Sequence, residues 1–209
     1  MPIKDNREYR SMQPMQIRAM AEEQEQAEMI VEGYATTFNQ PYVLWADDGY
    51  EVREVVDPHA FDECDMTDVI MQYDHQGRVF ARTKNGTLKL EVDEHGLKTV
   101  ADLGGTELGK QLYDEIRGGY TDQMSFGFIV SADVKTYTDD HETGKTTVLR
   151  TITKISKLYD VSAVSIPANN QTSISARNLS DGLIAEVRAE RLRAQKRARL
   201  ALKIKMEQE

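Results

Sequence analysis

Three residues capable of joint nucleophilic and acid–base chemistry lie at the ends or inside of apolar runs. Ser125 stands in Met124-Ser125-Phe126-Gly127-Phe128, a small nucleophile between apolar neighbours. His75 ends the run Val69-Ile70-Met71-Gln72-Tyr73-Asp74-His75. Asp160 is the one acid in Leu158-Tyr159-Asp160-Val161-Ser162-Ala163-Val164-Ser165-Ile166, a buried-looking strand stopped by Pro167. A serine hydroxyl is a poor nucleophile near neutral pH. It needs a base to take its proton, and the base needs a partner that fixes its tautomer and stabilises the imidazolium. Histidine suits the base role because its pKa lies near working pH.

The chain has four histidines. His59 falls at the start of a short helix, His95 in a hairpin turn and His141 in an acidic surface turn. Only His75 ends an apolar strand, a rigid position facing the domain. A buried carboxylate needs a partner or it protonates, and His75 beside Asp160 would supply one. Asp74 is the rival third member, but successive strand residues point to opposite faces, so it should point away from whatever His75 addresses. Each residue also has a plainer reading. Ser125 is outside a G-x-S-x-G elbow, and most serines before strands are only caps or turn residues; on that reading His75 makes a structural hydrogen bond, and Asp160 an ordinary ion pair. Gly127 and Ala168-Asn169-Asn170 are small enough for backbone to approach a substrate, but side-chain identity does not reveal an oxyanion hole built from backbone N–H groups.

The elements that must position these residues follow from periodicity and punctuation. Residues 1–28 are polar, Met- and Gln-rich and broken by Pro2 and Pro14, and read as a flexible arm. Strands are expected over 30–38, 50–56, 69–73, 87–92 and 97–103, the last two joined by the turn Asp93-Glu94-His95-Gly96. Asp57-Pro58 signals a short helix through Phe61. Leu108, Leu112, Tyr113 and Ile116 share one face of a helix that closes at Gly118-Gly119. Three more strands follow, over 125–134, 147–155 and 158–166. From Asp181 the chain turns helical and basic, with Leu183, Ile184, Val187 and Leu192 at helical spacing. The fold class is therefore α+β and β-rich. The domain reading is an arm over 1–28, a body over 29–178 and a basic helical tail over 179–209.

Composition narrows the function classes. Hydrophobic residues make up 40% and charged residues 29%, the balance of a globular protein. No run of about 18 apolar residues occurs, so no membrane span is expected, and residues 1–10 lack the apolar core of a secretory signal. Cys64 is the only cysteine, which excludes an internal disulfide and disfavours a cysteine zinc site. A net charge of -9 disfavours nucleic acid as a partner of the whole surface. Gly104-Gly105 lacks the Lys-Ser/Thr of a phosphate loop, and no cofactor is expected.

The ordered set Val31-Glu32-Gly33-Tyr34-Ala35, Pro58-His59-Ala60-Phe61, Asp74-His75, Ser125-Phe126-Gly127-Phe128 and Val161-Ser162-x-Val164-x-x-Pro167-Ala168 resembles the HK97-like prohead (capsid maturation) serine proteases of tailed phages, relatives in fold of the herpesvirus assemblins. The resemblance spans about residues 31–168. It implies a herpesvirus-protease-like β-barrel of about seven strands flanked by helices. His75 matches the family's histidine and Ser125 its serine. The herpesvirus relatives use a second histidine as third member, but no spare histidine lies in the last strand here, and Asp160 takes that place in the reading. The implied substrates are the scaffold, the major capsid protein precursor and the protease's own tails, cleaved inside the procapsid in the host cytoplasm. Self-association is left open. The alternative is a non-catalytic, protease-like assembly module whose site is vestigial.

Overall fold

The structure is a computed structural model that describes residues 7–16, 18–19, 29–164 and 174–207. The chain runs through β1 (Glu8–Gln16), β2 (Arg18–Ala19), β3 (Ile30–Thr37), β4 (Tyr42–Ala46), β5 (Tyr50–Val56), β6 (Ile70–Tyr73) and β7 (Gln76–Arg82). A short 3-10 turn over Thr83–Asn85 leads to β8 (Leu88–Val92) and β9 (Gly96–Asp102). Helix α1 (Glu107–Arg117), the long strands β10 (Gln123–Asp139) and β11 (Thr146–Val164) and helix α2 (Ile174–Glu207) complete it. The architecture is α+β and β-rich, as expected.

The strands form two sheets. One has the order β1-β10-β11-β5-β4, with β6 also paired to β11 and β7 to β6. The other has the order β2-β3-β9-β8. Their facing sides close over one core that includes Val31, Ala35, Val56, Met71, Leu97, Met124, Phe126, Phe128, Leu158 and Val161. Phe126 and Phe128 stack at 4.4 Å within it. Burial of such side chains is the main favourable term of folding. Helix α1 caps this core through Leu112, Tyr113 and Ile116. Its start is fixed by Thr106, whose Oγ accepts from the Gly109 amide at 3.0 Å, and its end by Gly119 at φ +72°.

A second, smaller core lies under α2. Leu183, Ile184 and Val187 pack on Leu44, Val52 and Val148. Beyond Arg191 the helix carries Leu192, Leu200 and Ile204 exposed. No described helix is long and apolar enough to cross a membrane.

Several expectations differ from the structure. The arm contributes β1, an edge strand antiparallel to β10. The expected helix at 57–61 is a string of turns, with the Ala60 amide on the Asp57 carbonyl at 3.0 Å and the Cys64 amide on that of Phe61 at 3.0 Å. The Ala60 carbonyl accepts from the Ile155 amide at 2.8 Å, which pins this segment to β11 before a helix can propagate. The two strands read over 147–155 and 158–166 are one as far as Val164, β11, which runs on through Ser156 and Lys157 by shifting register against β10; Ser165 and Ile166 lie outside the described residues. β4 and β7 lie outside the expected strands.

Candidate active site

Each of the three residues is delivered by a different piece of the large sheet. β11 is central. It pairs antiparallel with β10, placing Ser125 opposite Ser162 and Gly127 opposite Asp160. Directly paired residues and those two apart share a face, so Ser125, Gly127, Asp160 and Ser162 lie on one side of the sheet. On its other edge β11 pairs in parallel with β6, Asp160 beside Ile70 and Ala163 beside Tyr73. β6 and β7 are joined by a two-residue turn, Asp74-His75, with Tyr73 paired to Gln76. Both turn residues are left-handed, at φ 49° and 58°. Tight hairpins demand that geometry, and Asp and His adopt it more readily than most side chains. The Asp74 amide is anchored on the Ala163 carbonyl at 3.0 Å, so the turn is tied to the strand that carries Asp160. His75 is thus at a hairpin tip and not within a strand, and the alternation argument against Asp74 does not apply.

The turn brings the imidazole between the other two side chains. His75 Nδ1 lies 2.5 Å from Asp160 Oδ1, and His75 Nε2 lies 2.5 Å from Ser125 Oγ. A carboxylate only accepts, so Nδ1–H donates to Asp160, and Nε2 keeps its lone pair toward the serine. Ser162 Oγ donates to the same Asp160 oxygen at 2.9 Å. Asp160 is 2% exposed, so these two donors replace the water it has lost. Gly127 is needed beside it: a Cβ there would stand 2.4 Å from Asp160 Oδ2 and 2.7 Å from the Tyr9 ring.

The site is roofed. Tyr9 of β1 meets the His75 ring edge-on at 4.5 Å between centroids. The Arg10 carbonyl accepts from Ser125 Oγ at 2.9 Å, and Ser125 is only 1% exposed. On the opposite face of β1 is a buried charge cluster. Glu54 Oε1 accepts from Arg10 Nε at 2.6 Å and also bonds the Tyr42 hydroxyl; its Oε2 accepts from Arg150 Nη1 at 2.7 Å. Arg150 also reaches Glu8 at 2.7 Å and Asp133 at 2.6 Å. Burial pushes the Glu54 carboxyl up, but Arg10 and Arg150 outweigh it and hold the group below its ordinary range. Burial, and then Glu54, push the Tyr42 phenol well up, so it stays a proton donor.

The other candidates are elsewhere. His59 is exposed and pairs with Asp62, and His95 stacks edge-on against Tyr34. His141 is exposed in the β10–β11 turn. Burial pushes the Cys64 thiol up to about 11, which removes it as a nucleophile near neutral pH. Ala168, Asn169 and Asn170 lie outside the described residues. Sequence reasoning missed Ser162, although its spacing of two from Asp160 in a strand marks it as a same-face neighbour. It also missed Tyr9, which is 41% exposed yet touches His75, and Arg10, which is buried without any local signal of it.

No curated protein and no solved structure matches the chain. The profile of the family described as caudovirus prohead serine protease matches residues 15–183. That span is most of the 209 residues and contains Ser125, His75 and Asp160. The chain belongs to the caudovirus prohead serine protease family.

Proposed function

We propose that the chain is a serine endopeptidase that processes scaffold and capsid precursor proteins, and its own tails, inside the procapsid. Ser125 is the nucleophile, His75 the general base and then acid, and Asp160 the carboxylate that orients His75. The observation that carries this reading is the unbroken run of two short contacts, Ser125 Oγ to His75 Nε2 and His75 Nδ1 to Asp160 Oδ1. It is the arrangement a serine needs to lose its proton as it attacks.

The steps follow from those contacts. His75 Nε2 takes the hydroxyl proton while Oγ bonds to the peptide carbonyl carbon, whose oxygen takes up the negative charge. Asp160 stabilises the imidazolium through Nδ1–H and remains ionised. As the tetrahedral adduct collapses, the C–N bond breaks and Nε2–H protonates the departing amine. Water then attacks the acyl–serine ester, giving its proton to Nε2. Ester cleavage returns a proton from Nε2 to Ser125 Oγ and frees the new carboxylic acid.

The two sheets, with β1 and β10 both packing near β3, support the barrel that the family resemblance implies. The division into a body over 29–178 and a tail over 179–209 needs one refinement on this reading, since Leu183, Ile184 and Val187 belong to the packed body. The exposed half of α2 beyond Arg191, with Arg193, Lys196, Arg197 and Arg199 around Leu192 and Leu200, suits an acidic helical partner such as a scaffold. A chain ending after Arg193 should keep its fold and be missing from purified procapsids; normal incorporation would remove this recruiting role.

One observation favours the non-catalytic alternative: Ser125 is covered. Co-expression with the capsid and scaffold proteins, followed by gel, decides between the two. Ser125→Ala is expected to leave a folded protein and uncut precursors. Normal processing by that variant would end the protease reading.

A further inference from the structure

We propose that β1 occupies the place of a substrate strand: polypeptides dock antiparallel on the β10 edge once β1 has left it, and the Glu54–Arg150 cluster favours docked strands with an acidic and a basic residue two apart. This rests on the protease reading above.

Four observations converge. First, with Ser125 1% exposed, no polypeptide reaches the nucleophile while β1 is in place. Second, the cover is backbone laid as a substrate would lie. Glu8 to Ser11 pair with Phe128 to Ser125, and the Arg10 carbonyl faces the serine Oγ. The pairing turns irregular immediately past Ser11. Strand addition to a sheet edge supplies main-chain hydrogen bonds to any sequence, and side-chain pockets then select among them. Third, β1 is the terminal strand of its sheet, so its exchange breaks strand pairing with β10 alone and frees the side chains of Glu54 and Arg150 for the incoming strand. Fourth, the body offers Glu54 and Asp133 against Arg150, two carboxylates to one guanidinium. Arg10 answers Glu54 and Glu8 answers Arg150, on one face of one strand. A strand with the charges reversed would set like charges together in a buried site, which is costly.

The contact with Arg10 also disarms the site. Ser125 has one hydroxyl proton. The Arg10 carbonyl at 2.9 Å competes for it with His75 Nε2 at 2.5 Å, so the proton has a second acceptor while β1 is in place. The hydroxyl points at the carbonyl oxygen rather than its carbon, so β1 is held as an inhibitor and not as a peptide in the act of being cut. Activation is the departure of β1, and the substrate inherits its register.

The full-length protein tests this with a small fluorophosphonate probe that labels an activated serine, alongside hydrogen exchange of the β10 amides. Arg10→Ala removes the partner of Glu54 and should free β1: labelling of Ser125 rises roughly tenfold or more, and exchange at residues 125–128 speeds up in step. Tyr9→Ala leaves the charge cluster intact, guarding against misfolding of the first variant, and should move both readouts in the same direction. In the Arg10→Ala chain, peptides containing Glu-Tyr-Arg-Ser should compete with the probe better than Arg-Tyr-Glu-Ser peptides, and Glu54→Gln should erase that preference. Equal labelling and equal exchange in wild type and both variants would make β1 a permanent strand and overturn the proposal. A lack of preference between the two peptides would overturn the selectivity. If exchange shows β1 open and Ser125 still takes no label, the protease reading itself fails and takes this proposal with it.

Discussion

The two ends of the β10–β11 ribbon share one antiparallel pairing but sit in different surroundings. At the far end the two strands part company in burial. Val148, Arg150 and Ile152 of β11 point inward, while Thr147, Leu149 and Thr151 are half-buried. Opposite them β10 stands largely in solvent, with Val134 54% exposed. At the near end all five residues from Asp160 to Val164 are buried, and so are Met124, Ser125, Phe126, Gly127 and Phe128. Core covers one face there; His75 and Tyr9 cover the other. Between the ends the register slips at Gly127/Phe128 and again around Val130. Alternation is therefore the mark of a strand that only has to hold a sheet together, and its loss marks the stretch where both faces are in use. A carboxylate or hydroxyl in that second kind of stretch must find its partner on one of the two faces, and Asp160 and Ser125 find His75.

This contrast breaks most sharply at Asp160. Asp160→Asn keeps the size of the side chain but replaces an acceptor with an amide that favours the wrong imidazole tautomer. Turnover should fall by up to about 10⁴-fold, measured on the precursor proteins, with the fold retained. Asp74→Asn, one residue from His75 but outside that hydrogen bond, should fall far less. Gly127→Ala comes next. Its Cβ would press on Asp160 and on Tyr9, so a loss of about 1–3 kcal/mol in thermal or denaturant unfolding is expected, along with a lower rate.

Smaller still is the pH response of the charge cluster. Glu54 has its pKa held below the ordinary 4.5 in the fold. Its ion pairs therefore stabilise the protein above about pH 4.5 and are lost as pH falls through the lower, folded-state value. Glu54→Gln should lower the melting temperature at neutral pH, because it leaves two buried guanidinium groups short of a counter-charge. The gap to wild type should then narrow as the solution is acidified; a constant gap would mean Glu54 is not ionised in the fold. The far end supplies the smallest effect. Val134→Thr, on the exposed face, should change stability by no more than about 0.5 kcal/mol.

What could be read from the sequence divides along the same line. β10, β11 and α1 announce themselves by apolar periodicity, and Ser125 and Asp160 by being polar within it. His75 was found for the right neighbourhood but the wrong local reason, since its turn lacks the Asn-Gly or Asp-Gly pair that usually marks one. β1 was illegible. Glu8 and Arg10 are residue types that normally face water. Nothing nearby in the chain reveals that their counter-charges, Arg150 for Glu8 and Glu54 for Arg10, wait 142 and 44 positions away. β7 opens on Gln76-Gly77-Arg78, all exposed, and lacks the alternation that a half-buried strand displays.

The place of β11 at the centre of the large sheet has a consequence for the order of synthesis. Among the described residues, β6 pairs only with β7 and β11, and β10 only with β1 and β11. A chain emerging from the ribosome thus completes the hairpin of His75 and then the strand of Ser125 with no strand paired to both. Alignment waits for β11, whose register against Ile70 bridges 90 residues of sequence. Until that last strand is out, Ser125 and His75 exist on separate pieces, and on the proposed reading the nascent chain cannot cut what surrounds it.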